Sequence, residues 1–212
     1  MKRFENYVLG QWTPGADAEY VARHAVTGAE LGSVSSLGLN YAEVLDYGRR
    51  VGGSALRAMT FPQRGLMLKA LAMHLQARKE DYYTVSYATG ATRVDSWIDI
   101  EGGSGTLFAY AGVGANELPS GNLVHEGPAL ALGKTNQFAG THILVPRGGV
   151  AVHINAFNFP VWGLLEKFAP SFLAGMPCIA KPATATSYLT EALVRLMHDS
   201  GLLPAGSLQL VI

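Results

Sequence analysis

Hydrophobic and polar positions change their rhythm near residue 148. Before it the apolar residues recur mostly at helical spacing; after it short extended runs alternate with helices. Val150, Val152 and Ile154 alternate towards a polar loop, Asn155-Ala156-Phe157-Asn158. Phe159-Pro160 opens a helix predicted over 160–174, and Gly175, Met176 and Pro177 end it. A strand follows over 178–181. A helix over 187–200 comes next, with Leu189, Ala192, Leu193 and Leu196 as its apolar stripe and Gly201 as its stop. A last strand covers 207–212. The strands lie about 30 residues apart, the repeat of right-handed parallel crossovers. In such sheets ligands bind beyond the carboxyl ends of the strands. Asn158 and Lys181 both sit just past such an end.

The upstream pattern is helical, with short extended pieces at its start. Tyr7 to Trp12 reads as a strand and turn. The Thr27-Gly28 pair between two extended runs predicts a hairpin. Asn40 caps a helix to about Arg50, broken by Gly52-Gly53. Thr60-Phe61-Pro62-Gln63 fits a capping box. The helix it opens is expected to bury Leu66, Ala70, Met73 and Ala77, with Met67, Leu71 and Leu75 beside them and Arg64 and Lys69 elsewhere. A further helix over 80–89 stops at Gly90, and Thr92 caps a long helix to about Gly112. Gly102, Gly103 and Gly105 interrupt it, each costing about 1 kcal/mol against Ala. That cost points to a helix–helix crossing. Neither Gly103-Ser104-Gly105 nor Gly112-Val113-Gly114 completes G-x-G-x-x-G, and neither follows a strand, so a dinucleotide fingerprint is rejected. Residues 118–149, punctuated by Gly and Pro, read as an extended arm or hairpin.

The fold class expected is therefore α/β. An N-terminal helical part over 1–117 and an extended arm over 118–147 lead into the βαβαβ portion of a Rossmann-like parallel sheet over 148–212. A three-stranded half sheet is an unusual place to stop, so a longer protein or a partner is expected.

Composition narrows the function classes. Hydrophobic residues make up 49% and charged residues 15% of 212. Lys plus Arg and Asp plus Glu are 16 each, so no net field favours nucleic acid or an anionic membrane. The start of the chain has no apolar signal-peptide core. The most apolar window, 157–174, contains Glu166, Lys167 and Pro170, which argues against a membrane span. With a single cysteine a disulfide framework is excluded, and a cytoplasmic location is expected. That cysteine, Cys178, lies inside an apolar strand and reads as inert packing. The six histidines are scattered without metal-ligand spacing, so no metal is expected.

Asn155-Ala156-Phe157-Asn158-Phe159-Pro160, Lys167 with Ala169-Pro170, Gly175, Lys181-Pro182 and the loop Leu202-Leu203-Pro204-Ala205-Gly206 resemble the amino-terminal half of the aldehyde dehydrogenase superfamily. The likeness runs along nearly the whole chain. Leu56-Arg57-Ala58-Met59-Thr60-Phe61, Thr89-Gly90-Ala91-Thr92-Arg93, Asp95-Ser96-Trp97, Asp99 to Gly103 and His153 to Pro160 resemble, more narrowly, the PaaZ-type group. Its members fuse a semialdehyde dehydrogenase to a hydratase-fold ring-opening domain in phenylacetate degradation. The semialdehyde dehydrogenases of benzoyl-CoA epoxidation are the near alternative.

The resemblance implies roles. Asn158 matches the oxyanion-hole asparagine, whose amide stabilises negative charge on the former carbonyl oxygen. Lys181 matches the lysine on the cofactor's adenosine ribose. Three residues on, Thr184 stands where NAD-preferring members carry glutamate. A small hydroxyl leaves room for a 2′-phosphate that a carboxylate would repel. NADP is therefore the expected cofactor, with NAD possible. Ile154 and Phe157 match positions beside the cofactor. Lys167 matches a lysine that some relatives use in a proton relay, and a solvated Glu166/Lys167 helix face is the equal alternative. Glu101 and Glu166 match no catalytic position and read as structural. The family's nucleophilic cysteine and general-base glutamate fall beyond residue 212, so this chain alone is expected to be inactive. The implied reaction is oxidation of a CoA-linked semialdehyde to the acid by an enzyme that is a homo-oligomer through the 118–147 arm. A non-catalytic nucleotide-binding or scaffold module is the competing reading.

Overall fold

The computed structural model describes residues 2–17 and 19–212. Its central feature is a five-stranded sheet in the order β2-β1-β9-β8-β7, where β1 is Glu5–Val8, β2 Gln11–Pro14, β7 Ala151–Ile154, β8 Cys178–Lys181 and β9 Leu208–Leu210. β7, β8 and β9 run parallel; β1 joins β9 antiparallel and carries the hairpin partner β2. The parallel part is the one expected from the 30-residue repeat. The two added strands come from the far end of the sequence, a pairing that local pattern does not encode. Asn6, fully buried, secures it: its amide donates to Thr13 O and Ser35 O and accepts from Ile212 N. β3 (Tyr20–Arg23) and β4 (Glu30–Val34) form the expected hairpin around Thr27-Gly28, with Gly28 at φ +72°.

Helix α6 (Trp162–Leu173) connects β7 to β8, and α7 (Ser187–Asp199) connects β8 to β9. Phe168, Phe172, Leu164 and Leu165 of α6 and Leu189, Leu193 and Met197 of α7 lie in the main core with Cys178, Ala180, Leu208 and Leu210 of the sheet. The opposite sheet face carries only a small cluster, Val8, Val44, Ile179 and Val211, and leaves Val152 and Ile154 more than half exposed.

Outside α6 lie α3 (Phe61–Ala77) and α5 (Arg93–Asn116), with α4 (Lys79–Ser86) against α7. The Thr60 capping box is present, as is a second one at Thr92 with Asp95. The α3 stripe differs from expectation. Leu66 and Met73 face solvent, and the buried face is Phe61, Arg64, Gly65, Leu68, Leu71, Ala72 and Leu75. Arg64 falls on that face because it caps a neighbouring helix end. Its Nη1 donates to Leu56 O and Met59 O at 2.7 and 2.9 Å, and the guanidinium stacks on Phe61.

The glycines of α5 divide. A Cβ at Gly103 would come within 3.0 Å of Trp162 Cα, and one at Gly102 within 2.8 Å of the Trp162 ring, so both serve the α5–α6 crossing. Gly105 meets nothing within 4 Å and has no part in it. A second crossing, not expected, brings Gly114 against Gly65 of α3.

Gly52-Gly53 does not break its helix. α1 (Tyr41–Tyr47), capped by Asn40, passes through a π turn at Gly48–Gly52 into α2 (Gly53–Ala58). The reason for Gly52 is close approach: a Cβ there would sit 2.0 Å from Gly206 O. The segment read as an arm is a two-stranded ribbon, β5 (Val124–Leu132) with β6 (Phe138–Leu144), whose Leu130, Leu132, Phe138, Ile143 and Leu144 are exposed.

Candidate active site

The site lies where the parallel strands end. Ile154, the last residue of β7, pairs with Lys181, the last of β8, and Asn155 N donates to Lys181 O. The chain then turns through residues 156–160 into α6. Strand alternation buries His153 inward and turns Val152 and Ile154 outward. His153 Nε2 lies 3.1 Å from Ser171 Oγ, and burial holds its imidazole below the usual pKa.

The turn that carries Asn158 is held from both sides. On one side Thr186 Oγ1 donates to Phe157 O at 3.1 Å and Thr190 Oγ1 donates to Pro160 O at 2.9 Å. On the other side Asp99 of α5 accepts from Val161 N at 3.2 Å and Trp162 N at 2.7 Å. These amides belong to the first turn of α6, where a helix has no internal acceptors for its N–H groups. Asp99 is buried, and burial pushes its carboxyl up to about 6, against the opposite pull of the Trp162 and Val161 N–H donors. Asn158 itself is exposed and lines a cleft of about 380 Å³ with Phe157, Phe159, Ile98, Asp99 and Thr89.

Lys181 lies apart from that cleft. It borders an apolar hollow of about 260 Å³ with Val152, Ile154, Ile179 and Val211. It also borders a more polar one of about 330 Å³ with Thr184, Ser35, Ser36 and Glu19. Its Nζ donates to Pro182 O at 2.9 Å. Partial burial draws its pKa below the ordinary lysine value, and the Glu19 charge opposes that. Thr184 opens a 3-10 turn, Thr184–Thr186, that leads into α7. Ile154 and Lys181 thus share one hollow, Lys181 and Thr184 another, and Asn158 and Phe157 the cleft.

Lys167 joins none of these cavities. Its Nζ donates to Glu166 and to Gly163 O on its own helix. Glu101 accepts from Lys79 Nζ and Tyr83 Oη, a structural engagement. Cys178 is fully buried, and burial pushes its thiol pKa far up, which suits packing and not nucleophilic attack. No group of three or more potential metal ligands occurs among the described residues, and no helix is long and apolar enough to cross a membrane.

Two residues beside the expected ones had not been singled out. Asp99 lies 59 positions before Asn158, and its local signal is a carboxylate on the buried face of α5, between Ser96 and Ser104. Glu19 reaches the Lys181 hollow from the N-terminal hairpin, held by Ser36 N at 2.8 Å and Ser35 Oγ at 3.0 Å. Those hydrogen bonds hold its carboxyl below the usual range.

The parallel sheet thus carries an asparagine turn, a lysine and a threonine just beyond its strand ends, each at the mouth of a cavity. Residues 12–212 match the aldehyde dehydrogenase family, and the chain belongs to it. It is 44% identical over 210 residues to a 3,4-dehydroadipyl-CoA semialdehyde dehydrogenase of Aromatoleum evansii, covering 99% of this chain and 41% of that protein. Among solved structures, it matches a succinate-semialdehyde dehydrogenase from Burkholderia pseudomallei with a TM-score of 0.83 at 23% identity, over 99% of this chain and 42% of the other. An NAD-dependent benzaldehyde dehydrogenase from Corynebacterium glutamicum gives 0.83 at 16% identity, over 100% and 44%. At these identities the structures establish the fold. The chain spans about two fifths of the length of each of these proteins.

Proposed function

We propose that this chain supplies the oxyanion donor and the adenosine-ribose side of an NADP-dependent aldehyde dehydrogenase that oxidises a CoA-linked semialdehyde to its acid. The observation that carries the reading is the Asn158 turn: an exposed amide at the cleft, on a backbone fastened by Asp99, Thr186 and Thr190. A donor fixed before reaction stabilises developing charge without reorganising. Attack of a cysteine thiolate on the aldehyde turns the carbonyl oxygen into an alkoxide, and the Asn158 Nδ2 donates to it. Lys181 and Thr184 would hold a nicotinamide cofactor, which would supply the hydride acceptor for the oxidation.

The chain's own residues fit such a cofactor. The hollow beside Ile154 is apolar, and the next one offers an ammonium and hydroxyls from Lys181, Thr184 and Ser35. Thr184 leaves the 2′ position free of a carboxylate on its own loop, which favours NADP; Glu19 across the hollow weighs against it. Glu19→Gln is therefore expected to raise the NADP-to-NAD ratio of kcat/KM, and Thr184→Glu to lower it. Lys167 is assigned to the helix surface by its bond to Glu166. Cys178 is sealed in the core, so we assign the nucleophile to a cysteine outside residues 1–212; the general base is assigned there too, by the family resemblance alone.

The CoA-linked semialdehyde follows the name of the Aromatoleum evansii relative, and aerobic aromatic degradation in the cytoplasm is the process we infer. The exposed apolar β5–β6 ribbon, within the 118–147 arm, is assigned to homo-oligomer contacts. The 1–117 helical part and the 148–212 βαβαβ portion together form the cofactor side. The test is aldehyde oxidation with NADP, followed by absorbance of the reduced cofactor. An enzyme of the relatives' length carrying this chain is expected to turn over, and the 212-residue chain is not. Turnover by the short chain would mean the nucleophile lies within it.

A further inference from the structure

We propose that Asp99 is the positioning residue of the Asn158 donor, acting through the first turn of α6; this rests on the oxyanion reading of Asn158. Three features converge on it. Asp99 is on α5, one turn before Gly102 and Gly103, the two glycines that let α6 approach. Its carboxylate therefore meets the start of α6 at close range and accepts from both Val161 N and Trp162 N. Neither Val161 nor any other residue beside the helix supplies a side-chain cap to α6, so Asp99 takes the place of a local one. A carboxylate there also complements the positive end of the helix dipole.

The consequence for Asn158 is geometric. Only Phe159 and Pro160 separate it from the amides that Asp99 holds. Pro160 is buried, and its carbonyl is fixed from the far side by Thr190. Phe157, the residue before Asn158, has its carbonyl fixed by Thr186. The turn is thus anchored to α7 and to the 3-10 turn before it through two threonines, and to α5 through one carboxylate. Asp99 is the sole member of this clamp that sets the turn's distance from α5, the helix that forms the opposite wall of the cleft through Ile98. Burying a carboxylate costs stability, as its raised pKa indicates. A residue serving only to cap a helix could do so from the helix's own N-terminus at lower cost. A misplacement of about 1 Å lowers a rate by about a hundredfold.

The test uses an enzyme of the relatives' length carrying this chain. Asp99→Ala and Asp99→Asn are compared with wild type, alone and combined with Asn158→Ala. Steady-state aldehyde oxidation and the Kd for NADP are measured, together with hydrogen exchange of peptides covering 157–165. Asp99→Ala is expected to lower kcat at least tenfold, with cofactor Kd changed less than twofold. Asp99→Asn, which keeps one acceptor oxygen, should lose less. In the Asn158→Ala background the Asp99 substitution should change kcat less than twofold, because the group it positions is gone. Exchange should quicken in 157–165 and not in α3.

An equal loss in both backgrounds, an unchanged kcat, or quickened exchange spread over α3 and α7 would overturn the positioning role. Full turnover by Asn158→Ala would instead overturn the oxyanion reading and the positioning role with it. The two failures are therefore distinct. If Asn158→Ala is too slow to follow, the kcat of the single variants and the locality of exchange decide.

Discussion

Gly103 and Gly105 lie two residues apart on one helix and should respond to alanine with opposite signs. In a helix interior Gly→Ala gains about 1 kcal/mol from backbone propensity. Gly105 faces open space, so Gly105→Ala should keep that gain. At Gly103 the new methyl would lie 3.0 Å from Trp162 Cα, 3.3 Å from Trp162 N and 3.1 Å from Leu165 Cδ1. Two of these atoms are backbone and cannot rotate away. Overpacking of this kind costs about 1–3 kcal/mol, which exceeds the propensity gain. The net expectation is a loss of about 1 kcal/mol, so the two variants should differ by about 2 kcal/mol. At this chain length that is a separation of about 4–8 °C in Tm. Equilibrium urea unfolding at constant m-value, with thermal melts beside it, measures both. Equal stabilisation by the two substitutions would refute the close α5–α6 approach, and with it the route by which Asp99 reaches α6.

Three further outcomes follow from the buried polar groups. Asp99 has its native pKa raised from 3.8 to about 6, so the native state binds its proton more tightly than the unfolded chain does. Its contribution to stability is therefore greatest below about pH 4, falls as pH rises to about 6, and is then flat; the drop is about 3 kcal/mol at most. Asp99→Asn should flatten that segment of the stability–pH curve, and an unaltered curve would contradict the assignment. Arg64→Met leaves the buried carbonyl of Leu56 and the half-buried carbonyl of Met59 without their charged donor. The loss, read by urea unfolding, should be about 2–4 kcal/mol, and a neutral result would contradict it. Cys178 should resist alkylation in the native state and react on unfolding, as peptide mass mapping can follow. Cys178→Ala should keep aldehyde turnover in the longer enzyme, and a loss above tenfold would contradict its packing role.

Much of the fold is legible in the sequence because its signals are local. The capping box at Thr60, the helix cap at Thr92, the Gly90 stop and the 30-residue strand repeat each depend on neighbouring residues, and each appears where expected. What the pattern misses depends on distant partners. Gly52 reads as a helix breaker, yet it continues through a π turn because Gly206, 154 residues later, passes against it. Arg64 reads as a solvent-facing charge, yet it is buried and donates to the carbonyls at the end of α2. The addition of β1 to the edge of β9 is likewise set by tertiary contacts alone.

The site divides in the same way. Asn158, Lys181 and Thr184 are visible as a motif at strand ends, and the fold sets them at the mouths of cavities. Asp99 and Glu19 reach those cavities from other elements, and no spacing rule connects them to the motif. Lys167 is singled out only by the family resemblance, and its ammonium is engaged on its own helix.

The most direct test of the account is the turnover of Asn158→Ala in an enzyme of the relatives' length carrying this chain, followed by reduced-cofactor absorbance with saturating aldehyde and NADP. Removal of one oxyanion donor should lower kcat by about 10²–10³, with the cofactor Kd unchanged. A kcat within twofold of wild type would contradict the assignment of Asn158 and the function built on it.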